Sequence, residues 1–104
     1  MKGTMMKNIV LICAAGMSTS LLVSKMEKAA AEDGYDCKIQ AYAVNEAPRV
    51  IPDADVVLLG RQVRFNLKDF RAKFPEKKIE LIDMVQYGTM NGKAVFETAK
   101  KLIG

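Results

Sequence analysis

Residues 8–20 read NIVLICAAGMSTS, an apolar run followed directly by small and hydroxyl-bearing residues. The apolar part, residues 8–13, is uninterrupted after its first residue, which is typical of a parallel strand buried on both faces. A helix is predicted to follow from Ser18 to about Asp33, and Gly34 stands where a left-handed residue commonly ends a helix. The sequence therefore begins with a strand, a turn of small residues and a helix, the first half of a βαβ unit.

Three more strands are predicted further along the chain. They span residues 37–44, 56–59 and 79–82. The first of them alternates apolar and polar residues as an edge strand does, whereas residues 56–59 are entirely apolar. Because strand and helix signals alternate throughout, we predict an α/β fold with helices on both faces of one open parallel sheet. Right-handed crossovers favour the strand order 2-1-3-4, a flavodoxin-like arrangement.

The helices are predicted from apolar residues at helical spacing. The apolar face expected for the first helix is Leu22, Met26, Ala29 and Ala30. A second helix is predicted from Val63 to Phe74 and is stopped by Pro75, and an amphipathic helix follows Gly92. Two prolines limit residues 45–54 to at most a short helix.

Length and charge narrow the class of protein. The 104 residues are expected to form one domain, with residues 1–6 as a flexible extension. The apolar run near the start is far shorter than a membrane-spanning helix or a signal-peptide core, so we expect a cytoplasmic protein without direct membrane insertion. The net charge of +4 comes from basic residues interleaved with acidic ones, which does not favour nucleic-acid binding.

Few residue types in this chain can serve as the nucleophile in covalent chemistry. The chain contains no histidine and two cysteines, Cys13 and Cys37. A thiolate is then the strongest nucleophile available for covalent chemistry. Cys13 ends its predicted strand and Cys37 begins a neighbouring one, so the two thiols should lie at opposite edges of the sheet, too far apart for a disulfide. Cys37 is interpreted as a core residue.

The loop after the first strand is predicted to bind phosphate. Its residues are Cys13, Ala14, Ala15, Gly16, Met17, Ser18, Thr19 and Ser20. The loop lies where ligands bind in such sheets, beyond the carboxyl ends of the first and third strands. The small residues allow backbone N–H groups to converge on an anion, and the helix start adds partial positive charge that also favours a thiolate. The three hydroxyls add donors, although any one of them can instead cap the helix.

This loop, with LLV at residues 21–23, resembles the phosphorylation loop of lactose/cellobiose-type IIB components of the sugar phosphotransferase system. The resemblance extends to ADVVLLG at residues 54–60, which leads into Gln62, and to Asp83 followed by Tyr87. This chain departs from the family in having Arg61 where a proline is frequent, which places a cation close to the site. We therefore expect Arg61, Gln62, Asp83 and Tyr87 at the border of the site.

The resemblance implies a phosphotransferase component that carries a phosphoryl group on Cys13. The group would come from a phosphohistidine of a IIA partner and pass to a β-glucoside-type disaccharide held by the membrane IIC partner. An apolar surface around the crevice, including Met17 and Leu21, is expected to dock both partners in turn. No metal or other cofactor is expected, because amides, a helix terminus and hydroxyls can hold a phosphoryl dianion.

A hydrolase is the main alternative, since low-molecular-weight tyrosine phosphatases and related arsenate reductases share this fold and a similar loop. Those phosphatases have an arginine six residues after the cysteine, where this chain has Thr19. Asp83 occupies a position suited to their general acid, but a cap at the end of a loop is the preferred interpretation. A flavin-binding module ranks last, because only Tyr87 is placed to stack on a flavin.

Overall fold

A sheet of four parallel strands lies at the centre of the computed structural model, which describes residues 6–14 and 17–104, without the side chains of Met17 and Ser18. Its strands and α-helices are β1 (Lys7–Cys13), α1 (Met17–Asp33), β2 (Cys37–Ala43), α2 (Ala47–Val50), β3 (Val56–Leu59), α3 (Leu67–Lys73), β4 (Ile79–Leu81), α4 (Met84–Gly88) and α5 (Gly92–Ile103). Residues 1–5, which make up most of the expected N-terminal extension, lie outside the described residues. No helix in the described part of the chain has the length and apolar character needed to cross a membrane.

The strand order is β2-β1-β3-β4, which confirms the predicted topology. β1 pairs with β2 on one side and with β3 on the other, and all of the pairings are parallel. At the middle of β1, Ile9 lies opposite Ile39 of β2 and Val56 of β3. The first strand of the sequence is therefore a central strand, and β2 is an edge strand as its alternating pattern predicted.

Alternate residues of β1 enter two separate cores, because successive side chains of a strand point to opposite faces. Ile9 and Leu11 pack in the core that contains α1 and α5, whereas Val10 and Ile12 pack in the core that contains α2 and α3. The predicted face of α1 is buried as expected. Helices thus cover both faces of the sheet, and β1 is fixed from both sides.

The end of α1 is set by Gly34, which has a φ of +68°. The N–H of Gly34 donates to the carbonyl of Ala31, and the N–H of Tyr35 donates to that of Ala30 at 3.0 Å. This pattern closes the helix and satisfies its last carbonyls. The prediction of a left-handed residue at Gly34 is confirmed.

One predicted helix is divided in the structure, and one short helix was not predicted. The helix predicted from Val63 to Phe74 is divided into a 3₁₀ segment, Arg61–Asn66, and α3, with non-helical dihedral angles at Val63. Apolar spacing does not distinguish these forms, because Val63 and Phe70 are buried either way. Helix α4 was not predicted, since five residues are too few to show a helical period. Residues 45–54 contain the short α2 between two 3₁₀ turns, within the predicted limit.

The cysteines lie at opposite edges of the sheet, as predicted. Cys37 is paired in register with Lys7 at the start of β1, whereas Cys13 is paired with Ala43 at its end. Both thiols are free. Cys37 is partly buried and packs against the core beneath α1, in agreement with its interpretation as a core residue.

Replacing Gly92 by alanine is expected to destabilise the fold. A Cβ at Gly92 would collide with the Cβ of Lys25 and lie 2.8 Å from the backbone nitrogen of Met26, so α5 would have to move away from α1. We expect a loss of about 1–3 kcal/mol in the free energy of unfolding, as for other overpacked sites. Denaturant unfolding measures this, with Gly88→Ala as the control, because a Cβ at Gly88 would have no neighbour within 4 Å. Equal effects of the two substitutions would contradict the close packing of α1 and α5.

Candidate active site

The strands β1 and β3 end side by side, which places Cys13 in the predicted crevice. Cys13 is the last residue of β1, and Gly60 directly follows β3. The N–H of Gly60 donates to the carbonyl of Ile12 at 2.8 Å, which fixes the two strand ends to each other. β2 lies on one side of β1 and β3 on the other, so the strand order reverses at the end of β1.

Cys13 is only 1% exposed. A Cβ placed on Gly60 would lie 3.5 Å from the Cβ of Cys13, so the two strand ends are in close contact. A reactant can therefore reach the sulfur only by entering between the residues around it or by displacing them. Of the small residues that follow, Ala14 is exposed, and Ala15 and Gly16 lie outside the described residues. The predicted convergence of their amides stays a prediction.

Helix α1 begins at Met17, one residue earlier than predicted. Ser18, Thr19 and Ser20 therefore lie in its first turn. The side chains of Met17 and Ser18 are outside the description, and Ser20 is exposed.

Thr19 is 1% exposed, and its Oγ1 has no hydrogen-bond partner among residues 6–14 and 17–104. A buried hydroxyl without a partner costs about 1–3 kcal/mol, and such groups are uncommon in folded proteins. Thr19 lies six residues after Cys13, on the face of α1 that also buries Leu22 and Met26. Near the start of α1, the Thr19 hydroxyl is therefore a buried donor without an acceptor among the described residues.

Gln62 and Tyr87 form a hydrogen bond at the rim of this crevice. The hydroxyl of Tyr87, on α4, donates to Oε1 of Gln62 at 2.8 Å. The same Oε1 would lie 2.9 Å from a Cβ on Gly60, so the Gln62 side chain folds back over the end of β3. The structure thus places Gln62 over the end of β3 and in contact with Tyr87, and their place at the border of the site stays a prediction.

Asp83 caps the start of α4. Its Oδ2 accepts hydrogen bonds from the N–H groups of Val85 and Gln86, each at 3.0 Å. These bonds satisfy two of the free amides at the helix start and stabilise a short helix. The interpretation of Asp83 as a cap is confirmed, and a carboxylate engaged in this way is poorly suited to act as a general acid.

Arg61 follows Gly60 directly and is half-buried. In the part of the chain that the structure describes, its side chain forms no hydrogen bond or ion pair, while its carbonyl accepts from the guanidinium of Arg64 at 3.0 Å. Arg61, which has no side-chain partner among the described residues, is thus the neighbour in sequence of Gly60, and Gly60 lies close to Cys13.

Four large apolar side chains are exposed on segments that leave the carboxyl edge of the sheet. They are Leu21, Phe65, Met84 and Val85, which we call the apolar rim. Phe65 is the most exposed of them, at 79%. The sequence predicted Met17 and Leu21 as part of a docking surface. Leu21 belongs to the apolar rim, and the side chain of Met17 lies outside the described residues. Asp83 could have predicted the start of α4, because aspartate is a common N-cap residue. The helix would then have indicated the positions of Met84 and Val85.

Cys37 differs chemically from a free cysteine. Burial, together with the nearby carboxylates of Asp36 and Glu27, raises the pKa of its thiol. Each of these causes disfavours the thiolate, so Cys37 is a poorer nucleophile at neutral pH than an exposed cysteine.

Alkylation kinetics test this difference in a Cys13→Ala protein, where Cys37 is the remaining thiol. We expect the iodoacetamide reaction to reach half its maximal rate at a higher pH than for a free cysteine, because the thiolate forms only above the raised pKa. Asp36→Asn removes one neighbouring carboxylate and should move that midpoint to lower pH. A midpoint at or below that of free cysteine would contradict the assignment.

Comparison with known proteins identifies close relatives of the chain. A family model described as PTS system, Lactose/Cellobiose specific IIB subunit matches residues 8–98. A galactose-specific EIIB component of Lactococcus lactis is 43% identical over 104 residues, covering 93% of this chain and 96% of that protein. A lactose-specific EIICB component of Lactococcus lactis is 32% identical over 75 residues, covering 72% of this chain and 13% of that protein.

A solved structure agrees with these matches. The cellobiose-specific phosphotransferase IIB component of Borrelia burgdorferi superposes on the chain with a TM-score of 0.79 and is 41% identical. The superposition covers 93% of this chain and 91% of that structure. Sequence and fold therefore match over nearly the whole length.

Proposed function

The chain belongs to the lactose/cellobiose-specific IIB family of the sugar phosphotransferase system, whose members are phosphotransferases, and we propose that Cys13 is its phosphoryl acceptor. The position of Cys13 supports this proposal most directly. It ends the central strand where the sheet order reverses, and α1 begins four residues later. A chain without histidine has no stronger nucleophile than a thiolate to offer at that point.

The proposed reaction consists of two in-line transfers. The thiolate of Cys13 attacks the phosphorus of a phosphohistidine on the IIA partner, and the S–P bond forms as the N–P bond breaks. The imidazole leaves with the electron pair of that bond. In the second step a sugar hydroxyl attacks the same phosphorus and releases its proton to solvent. The O–P bond forms as the S–P bond breaks, and the sulfur leaves as a thiolate with the electron pair of that bond. The protein contributes mainly positioning and stabilisation of charge.

The buried hydroxyl of Thr19 supports a role in holding the phosphoryl group. It has no partner among the described residues, whereas a phosphoryl dianion supplies several acceptor oxygens. Hydrogen bonds to a charged group are stronger than those between neutral groups. We propose that Thr19 donates to the phosphoryl group, together with backbone amides of residues 14–20 and the remaining hydroxyls.

A carrier fits this site better than a hydrolase. The family match supports the carrier, and Thr19 stands where the phosphatases have an arginine. A threonine hydroxyl holds a phosphoryl group without the charge neutralisation that speeds its transfer to water. The carboxylate of Asp83 is occupied by the amides at the start of α4. We therefore propose that the phosphocysteine is stored until an acceptor arrives.

The proposed partners are a phosphorylated IIA protein and a membrane IIC permease, and the proposed location of this chain is the cytoplasm. The lactose-specific EIICB relative supports a IIC partner, because its name joins the B component to a C component. The apolar rim supplies a docking surface for either partner, and competition for one thiol makes the two complexes mutually exclusive. Relatives named for galactose and for cellobiose match about equally well, so we assign the choice of sugar to the IIC partner.

Mass spectrometry tests the acceptor. Incubation with a phosphorylated IIA protein should add one phosphoryl group to the wild-type chain and none to Cys13→Ala. Cys37→Ala serves as the matched control and should be phosphorylated normally, because Cys37 lies at the opposite edge of the sheet. A phosphorylated Cys13→Ala protein would refute the assignment, and rapid release of inorganic phosphate from an aryl phosphate would support the phosphatase instead.

Thr19→Val separates function from folding. It removes a hydroxyl that has no partner among the described residues, so the free energy of unfolding should stay the same or increase. The rate of phosphoryl transfer to Cys13 should fall about tenfold, the effect of losing one hydrogen bond to a charged group. Thr19→Ser keeps the hydroxyl and should retain most of the rate. Transfer at the wild-type rate in Thr19→Val would show that this hydroxyl does not contact the phosphoryl group.

A further inference from the structure

The hydrogen bond between Tyr87 and Gln62 lies beside Cys13 and joins two segments that follow different strands. We propose that the side-chain amide of Gln62 donates a hydrogen bond to the phosphoryl group on Cys13, and that Tyr87 is the positioning residue that orients this amide. The inference rests on the proposed function of Cys13.

The distances place the carboxamide oxygen of Gln62 near the end of β1. Oε1 of Gln62 and the Cβ of Cys13 both lie within 3.5 Å of one point, the position that a Cβ of Gly60 would occupy. That Cβ would come within 2.9 Å of Oε1, which is closer than a carbon and an oxygen normally approach. The missing side chain of Gly60 thus leaves the space into which Gln62 folds back, beside the end of β1.

The chemistry of the carboxamide matches the phosphoryl group. A glutamine side chain has one acceptor oxygen and two N–H donors on its nitrogen. In the structure, Oε1 accepts from the Tyr87 hydroxyl, and the nitrogen has no partner within residues 6–14 and 17–104. A phosphoryl dianion only accepts hydrogen bonds, so it attracts the nitrogen and repels the oxygen. The Tyr87 bond engages Oε1, so the N–H groups are the part of the carboxamide left to bind a phosphoryl group.

Tyr87 also reduces the cost of ordering Gln62. Gln62 is exposed, and an exposed glutamine samples many rotamers that it loses when it binds a ligand. The hydrogen bond from the half-buried Tyr87 restricts these rotamers before the phosphoryl group arrives. Preorganisation of this kind strengthens an interaction without adding a contact. The effect of Tyr87 should therefore pass through Gln62.

A double-mutant cycle tests both parts of the proposal. The rate of phosphoryl transfer from phosphorylated IIA protein to Cys13 is measured for Gln62→Ala, Tyr87→Phe and the double variant. We expect Gln62→Ala to be about tenfold slower than wild type, as for loss of a hydrogen bond to a charged group. Tyr87→Phe should slow transfer by a smaller factor and should have no further effect when Gln62 is already alanine. Additive effects would overturn the positioning role of Tyr87.

Gln62→Glu gives a sharper comparison. The carboxylate keeps an acceptor for the Tyr87 hydroxyl but replaces the N–H donors with negative charge. Transfer should be at least as slow as in Gln62→Ala, and a rate equal to wild type would overturn the donor role. Tyr42→Phe is the matched control, because Tyr42 donates to Oε1 of Gln40 at 2.6 Å on β2. It should transfer at the wild-type rate, and slow transfer would show that loss of any such tyrosine bond has this effect.

Nuclear magnetic resonance gives a direct readout of the contact. The side-chain NH₂ signals of Gln62 should shift when Cys13 is phosphorylated in the wild-type protein, and less so in Tyr87→Phe. Unchanged signals would show that the amide does not touch the phosphoryl group. The outcomes also separate this inference from the proposed function. If wild-type protein is not phosphorylated on Cys13, the proposed function fails, whereas normal transfer in Gln62→Ala rejects only the role of Gln62.

Discussion

The candidate site depends on the pairing of β1 with β3 at their carboxyl ends. The hydrogen bond from Gly60 to the carbonyl of Ile12 holds the two strand ends in register. Together with the parallel register of the two strands, this contact places Cys13 beside the segment that carries Gln62. The chain after Cys13 leads into α1. Residues that are far apart in sequence therefore meet because two apolar strands stop at the same level.

The two cores make that arrangement rigid. Side chains of β1 alternate between a core with α1 and α5 and a core with α2 and α3, so the strand cannot slide without exposing apolar surface on both faces. The short α4 depends instead on local hydrogen bonds, with Asp83 at its start and Tyr87 bonded to Gln62. The end of β3 and the short helix α4 are thus joined through Gln62.

Much of this architecture follows from local sequence signals. The apolar strands, the glycine after α1 and the strand order could be predicted because each reflects a pattern within a few residues or a general rule of chain topology. The break at Val63 could not, since the same apolar spacing suits an α-helix and a 3₁₀ turn. The burial of Thr19 also escaped prediction, because a polar residue on an inner helix face gives no hydrophobic signal. Nor could the bond between Gln62 and Tyr87, which are 25 residues apart in sequence.

The burial of Cys13 affects how readily its thiol can be oxidised. Reactive thiolates are readily oxidised, and susceptibility rises with their exposure. Because Cys13 is only 1% exposed, its thiol is screened from peroxides and from other thiols in solution. In the proposed mechanism, this burial protects the phosphoryl acceptor from oxidation to sulfenic acid and from mixed disulfides between transfers.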